Sequence, residues 1–193
     1  TTQPEESGRF YTPEEVAGRL ISIAGNKKFH QLRISGNEPT ICREHLIRVL
    51  ELIPEGYLFI LETNGTLIGS DIAYAEELSR FSNLYVRASL KGTCEEEFTR
   101  LTGAVPEGFQ EQLKAIENLR KYRVKVQPAC MISFSPPENI RTLRKRLKTM
   151  DPAFEEFEVE ELILYPSVEK RLKKLKIDYR KGYKPGNIPQ EQI

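Results

Sequence analysis

What this 193-residue sequence lacks narrows the field first. Its three cysteines, Cys42, Cys94 and Cys130, are odd in number and far apart, which does not suit a disulfide framework and fits a reducing compartment. Only two histidines occur, His30 and His45, and neither has the partners that a Ser/His/Asp or zinc-type site needs. There is no Gly-x4-Gly-Lys-Ser/Thr loop and no Gly-x-Gly-x2-Gly turn, so neither phosphate-cradling motif is present. No apolar run approaches about 18 residues, so no membrane span is expected. The polar, acidic start, Thr1 to Gly8, is not a signal peptide. A cytoplasmic location is the expectation. The net charge of +1 gives the molecule as a whole no electrostatic preference for nucleic acid or membrane, and neither is expected as a partner.

What is present is a globular composition, 30% charged and 39% hydrophobic. The length suits one domain with an appended tail and allows about 70% of the unfolded chain's surface to be buried. Thr12, Pro13 and Glu15 form a helix-start signature with a capping box, and Gly25-Asn26 marks the expected stop. A strand is expected over His30–Ile34, then a turn through Pro39. A helix over Arg43–Ile53 carries Leu46, Val49, Leu50 and Ile53 on one face. Further strands are read at Tyr57–Leu61, Leu84–Ala88, Val124–Phe134 and Glu158–Tyr165. Helices are read at Asp71–Phe81, Glu107–Tyr122 and Glu138–Met150.

Strand and helix thus alternate about five times, the pattern of parallel strands joined by crossover helices. The strands read as near-continuous apolar runs, as expected where both faces are covered. An open doubly wound sheet and a barrel both satisfy the pattern. Polar residues at the carboxyl end of nearly every strand favour the barrel. The expected fold class is α/β, a partial parallel (β/α) barrel of the TIM type over residues 1–165, with a basic C-terminal extension over 166–193.

In either architecture ligands bind beyond the carboxyl ends of the strands. The first strand brings Gly36, Asn37 and Glu38 there, the second Glu62, Thr63 and Asn64, the third Ser89 and Lys91, and the fourth Gln127, with Ser133 further on. The set suits a zwitterionic ligand with a ribose or amide edge: Glu38 could hold an ammonium and Lys91 a carboxylate. Taken singly, each also has an ordinary structural reading, since Gly-Asn and Asn-Gly are common turn pairs and an acid before a helix is commonplace. Two basic segments, Arg141–Lys148 and Lys170–Lys184, stand opposite the acidic run Glu155–Glu161. They read as solvated helix faces, or as contacts for RNA or an acidic partner.

Three of these segments carry a resemblance. Leu32-Arg33-Ile34-Ser35-Gly36-Asn37-Glu38-Pro39-Thr40 resembles the Gly-Gly-Glu-Pro strand end of radical S-adenosylmethionine (radical SAM) enzymes. Glu62-Thr63-Asn64-Gly65-Thr66-Leu67 resembles their next strand end. Ser89-Leu90-Lys91 with Glu95–Phe98 and Leu101-Thr102-Gly103 resembles the Asp-Leu-Lys region of the activating-enzyme branch, typified by the pyruvate formate-lyase activating enzyme. Order and spacing agree from Phe10 to Tyr165. The resemblance implies that Gly36, Asn37 and Glu38 meet the methionyl amino group of S-adenosylmethionine. It implies that Glu62, Thr63 and Asn64 lie near the cofactor, and that Ser89 and Lys91 reach its ribose or carboxylate.

The activity so implied is reductive cleavage of S-adenosylmethionine to a 5′-deoxyadenosyl radical. That radical abstracts hydrogen from a substrate not readable here, a glycyl-radical-type protein being the one this branch implies. Flavodoxin or ferredoxin is the implied electron donor. Asn37 departs from the second glycine of the motif, a change that asparagine's tolerance of left-handed backbone can absorb. Ser89 departs from the acid. The family's [4Fe–4S] cluster needs closely placed thiolates. The Cys-x3-Cys-x2-Cys loop and the strand before it are absent, so no metal ligand and no catalytic residue is assigned, and Cys42, Cys94 and Cys130 are expected to be buried or inert. The expectation is that these elements belong to a segment before Thr1, and that the chain as written is inactive. Two alternatives stay open: a non-catalytic module that binds a nucleotide-like ligand or a partner, and an unrelated barrel enzyme.

Overall fold

The computed structural model describes residues 9–189; the acidic stretch Thr1–Gly8 and the last four residues lie outside them. Helix α1, Pro13–Lys27, opens on the expected capping box. The Thr12 hydroxyl accepts from the Glu15 amide at 3.2 Å, and the Glu15 carboxylate accepts from the Thr12 amide at 2.9 Å. It runs past Gly25-Asn26 and stops at Lys28, whose left-handed backbone (φ 56°) returns its N–H to the carbonyls of Ala24 and Gly25. The tail of the helix is closed by backbone geometry rather than by the glycine.

Strands β1 (Gln31–Ile34), β2 (Leu58–Thr63), β3 (Leu84–Lys91), β4 (Lys125–Met131) and β5 (Glu158–Glu160) form one sheet in the order β1-β2-β3-β4-β5. Every pairing is parallel. Each strand is laid beside its predecessor in the chain, which is the progression of a barrel. A doubly wound sheet reverses order part-way. Helices α2 (Arg43–Leu52), α3 (Thr66–Ser70), α4 (Ile72–Leu78), α5 (Glu95–Thr102), α6 (Glu107–Lys121) and α7 (Pro137–Met150) fill the crossovers. Among the described residues β1 and β5 do not pair with each other, so the sheet is a partial barrel.

The outward face of the sheet holds the core. Phe59, Leu61, Leu84 and Val86 pack with Leu46, Val49 and Leu50 of α2 and Leu78 of α4. Ala88, Leu90 and Cys130 pack with Phe98, Phe109, Leu113, Leu143 and Leu147. Burying each large apolar side chain contributes about 1.5–3 kcal/mol. The two clusters meet along β3.

Several expectations are corrected. The strands are not apolar on both faces: β2 and β3 alternate buried and half-buried residues, and the inner face carries Glu62, Arg87, Ser89 and Lys91. The apolar reading of Tyr57–Leu61 missed this because half-buried Leu58 and Ile60 fill the inner positions at the start of β2. Helices α3 and α5 were not anticipated, although α5 opens on three acids and closes on Gly103 in the left-handed region, both ordinary boundary signals. The strand expected over Glu158–Tyr165 is two strands. Its second part, β6 (Leu162–Ile163), leaves the main sheet and pairs with β7 (Gly182–Tyr183) from the basic tail. Between them α8 (Pro166–Leu175) has no buried residue. Among the described residues no helix is long and apolar enough to cross a membrane.

Candidate functional site

At the carboxyl end of β1 the chain turns through two successive left-handed residues, Gly36 (φ 94°) and Asn37 (φ 46°). Glycine adopts this backbone freely and asparagine better than most. The turn delivers Glu38, which caps a short 3-10 helix, Pro39–Ile41. Its carboxylate is held by four donors. One oxygen accepts from the Thr40 amide at 3.1 Å, the Thr40 hydroxyl at 2.7 Å and the Thr63 hydroxyl at 2.6 Å. The other accepts from the Asn64 amide at 2.7 Å. Charge-assisted bonds of this kind are short and strong. The side chain therefore fastens the end of β1 to the end of β2, and its bonding capacity is largely taken up within the protein. Gly36 and Asn37 are exposed, and among the described residues no hydrogen bond uses their carbonyls.

The turn is braced from behind. The Tyr74 hydroxyl donates to the Thr40 carbonyl at 3.2 Å. Arg43 stacks over the Tyr74 ring at 4.6 Å while pairing with Asp71 at 2.6 Å and Glu77 at 2.9 Å. Burial pushes the Tyr74 phenol well above its ordinary value, so it remains a donor. On β2, Thr63 is buried and its hydroxyl also accepts from the Gly65 amide at 3.0 Å. The Asn64 side chain accepts from the Thr66 amide at 2.9 Å and hydroxyl at 2.7 Å, an Asx turn that starts α3.

The inner face of the sheet is an ionic ladder. Glu62 lies 3.2 Å from Arg33 and 3.5 Å from Arg87. Arg87, only 12% exposed in its side chain, also meets Glu160 at 2.8 Å and forks onto Glu158 at 2.6 and 2.8 Å. The hydrogen bond to Glu158 raises the Arg87 guanidinium further above its ordinary value, and the same bond holds the Glu158 carboxyl below the usual range. The Ser89 hydroxyl accepts from Arg87 at 3.3 Å, and Lys91 reaches Glu160 at 3.5 Å.

Gly36, Asn37, Glu38, Thr63 and Asn64 thus converge, and Glu62, Ser89 and Lys91 line the adjoining inner face. Gln127 does not stand at a strand end. It pairs in register with Arg87 inside β4, and its amide turns to the carbonyls of Pro128 and Glu156 at 3.4 Å. Reading β4 from Val124 to Phe134 without its register put Gln127 too near the mouth.

The sequence reading missed Gln112, which is fully buried. Its amide donates to the carbonyls of Asn64 at 2.7 Å and Ser89 at 3.1 Å, and accepts from the Lys91 amide at 3.3 Å. The available signal was a polar residue on the apolar stripe of Phe109, Leu113, Ile116 and Leu119. It also missed Glu158, Glu160 and Arg87, whose pairing depends on tertiary register.

The cysteines do not fit a cluster. Cys42 is exposed, Cys94 half-buried and Cys130 buried. The Cys130 thiol donates to the Gly92 carbonyl at 3.3 Å, and burial pushes both it and Cys94 up. Among the described residues no three His, Cys, Asp or Glu side chains group in a way that could hold a metal ion. The turn at Gly36–Glu38 is different: it is exposed at Gly36 and Asn37, and among the described residues their carbonyls have no hydrogen-bond donor.

A comparison with protein families matches residues 1–150 to the radical SAM superfamily. A curated relative, "Probable GTP 3',8-cyclase" of Thermococcus kodakarensis, is 30% identical over 112 residues, 58% of this chain and 34% of that protein. Among solved structures, native anSMEcpe with bound AdoMet superposes with a TM-score of 0.61 at 20% identity, over 82% of this chain and 44% of the other. Streptococcus suis SuiB bound to precursor peptide SuiA gives 0.63 at 15% identity, over 94% and 44%. The chain therefore spans about a third of the curated relative and under half of either structure. With the family match running over most of the chain and the barrel-like strand order beneath it, this chain belongs to the radical SAM superfamily.

Proposed function

We propose that this chain is the part of a radical SAM enzyme that holds S-adenosylmethionine, at the mouth formed by the carboxyl ends of β1, β2 and β3. The observation that carries the reading is the Glu38 carboxylate, which binds the Thr63 hydroxyl and the Asn64 amide and fixes an exposed turn whose Gly36 and Asn37 carbonyls take part in no hydrogen bond among the described residues. Those carbonyls would accept from the methionyl ammonium. Lys91, 41% exposed in its side chain, would meet the methionyl carboxylate, and Asn64 and Ser89 would border the ribose.

When bound, S-adenosylmethionine supplies a sulfonium whose reductive cleavage yields a radical for hydrogen abstraction. The electron is the business of a cluster whose ligands are not among the described residues and of a donor of the flavodoxin or ferredoxin type. The chain's own share is to bind, orient and exclude water. The relative's name supports a nucleotide substrate and SuiB's bound precursor a peptide one, rather than the glycyl-radical protein that the activating-enzyme resemblance implies. The inner face, with Arg33, Arg87 and Lys91 set against Glu62, Glu158 and Glu160, supports a polar substrate carrying both donors and acceptors.

A second reading, a ligand-binding module without turnover, is favoured by the scattered cysteines. Both readings share the first test, titration of the chain with S-adenosylmethionine by calorimetry. Saturable one-site binding, with methionine and adenosine each much weaker, is the expected result; no binding overturns the reading. Iron content and S-adenosylmethionine turnover of the protein isolated from its source then separate enzyme from module.

A further inference from the structure

Gln112 sits where the sheet would otherwise fail. Strand β2 pairs with β3 up to Thr63↔Ala88 and then leaves through Asn64 and Gly65, the latter in the left-handed region (φ 80°). Strand β3 continues to Lys91, paired with β4 on its other side. The Ser89 carbonyl and the Lys91 amide face the place that β2 has vacated. In a parallel ladder, a residue opposite Leu90 would donate its N–H to the carbonyl of residue 89 and accept from the amide of residue 91. The Gln112 side chain makes these two bonds, at 3.1 and 3.3 Å. Its second amide hydrogen goes to the Asn64 carbonyl at 2.7 Å, the last group of the departing strand.

Helix α6 is seated closely enough to hold this register. A Cβ on Gly69 of α3 would lie 1.9 Å from the Glu111 carbonyl oxygen, and one on Gly65 would lie 3.0 Å from the Ala115 Cβ. One turn and a half further along, the buried Asn118 amide donates to the carbonyls of Ile68 and Gly69 at 2.9 and 3.4 Å. That contact fastens the same two helices but touches no strand end.

We infer that Gln112 is a positioning residue for the ligand site: its amide replaces a missing peptide group of β2 and fixes Asn64, Ser89 and Lys91 relative to one another. The inference rests on the reading of the mouth as an S-adenosylmethionine site. The role needs a primary amide of this length, because one group must donate twice and accept once. An apolar side chain of equal size would fill the space and leave three backbone groups unpaired.

The test compares Gln112→Met with Asn118→Met. Both remove a buried amide from α6, so both lower the thermal midpoint. Only Gln112→Met is expected to weaken S-adenosylmethionine binding, by tenfold or more in calorimetry, with Asn118→Met within twofold of the parent chain. Amide hydrogen exchange supplies a readout independent of the ligand: Lys91 exchanges faster in Gln112→Met than in Asn118→Met. If Gln112→Met does not fold, Gln112→Glu takes its place. Its carboxylate can accept but not donate, so binding is expected to be weak at neutral pH and to recover only in part as the carboxyl protonates, since the acid regains one of the two donors.

Equal affinity in the two variants, or equal Lys91 exchange, overturns the inference. If the parent chain does not bind S-adenosylmethionine, the proposed function falls. The positioning of the strand ends then stands or falls on the Lys91 exchange alone.

Discussion

Two carboxylates, Glu38 after β1 and Glu97 after β3, are held in the same way and differ in how far they are sealed. Glu38 accepts from the Thr40 amide and hydroxyl, the Thr63 hydroxyl and the Asn64 amide. Glu97, at the start of α5, accepts from the Thr93 amide at 2.9 Å and hydroxyl at 2.7 Å, the Ser135 hydroxyl at 2.6 Å and the Asn139 amide at 3.2 Å. Among the described residues neither pairs with a cation; oriented dipoles hold both, which avoids ordering a long basic side chain. The Glu97 cluster is closed: Glu97, Thr93 and Ser135 are all buried, so it joins the β3–α5 turn to the β4–α7 turn as scaffold. The Glu38 cluster is less enclosed: Glu38 is half-buried, and the exposed turn it fixes has Gly36 and Asn37 carbonyls without a hydrogen bond among the described residues. The same chemistry is structural where it is sealed; where one side is exposed it is the chemistry of the proposed site.

The contrast can be broken most sharply at Glu97. Glu97→Ala strands the Thr93, Ser135 and Asn139 donors and is expected to cost about 3 kcal/mol of stability, read as a drop in the urea midpoint. At Glu38 an effect on binding is expected in addition to the one on stability: Glu38→Ala is expected to weaken S-adenosylmethionine binding by about 1.5–3 kcal/mol. Unchanged affinity in calorimetry would remove Glu38 from the site and make the two clusters equivalent.

A third prediction concerns pH. Burial pushes the Glu97 carboxyl up, but hydrogen bonds from Ser135, Thr93 and Asn139 outweigh it and hold the group below its ordinary value. A carboxyl depressed on folding stabilises the protein above its unfolded value, about 4.3. That stabilisation is lost as pH falls through the lower folded value. The urea midpoint is expected to fall in that acid window, and the fall to be shallower in Glu97→Gln. Identical profiles would mean that Glu97 does not contribute to acid unfolding. The smallest effect is expected on the ladder's outer rung: Arg33, 55% exposed in its side chain, is expected to cost under about 1 kcal/mol on replacement by alanine.

The outline of the fold was legible because its signals are local. The Thr12–Glu15 capping box, the apolar stripe of α2 and the apolar runs at β2 and β3 each declare themselves within one turn or one strand. The Gly36-Asn37-Glu38 turn was legible for the same reason, since left-handed backbone selects glycine and asparagine. The direction of the Glu38 carboxylate was not, because its Thr63 and Asn64 partners are remote in the chain and meet it only through β1–β2 register. Gln127 was placed too near the mouth for want of that register on β4.

By itself, then, the sequence determined the alternation of strand and helix, the turn residues at the strand ends, and the absence of a grouped cysteine set; each follows from propensity, periodicity or spacing along one stretch of chain. Only the tertiary structure decided that β6 abandons the main sheet for β7, that Arg87 gathers Glu62, Glu158 and Glu160, and that Gln112 occupies the gap left by β2. Those outcomes depend on which distant groups are left without hydrogen-bond partners once the elements pack, and a linear chain does not display that until it is folded.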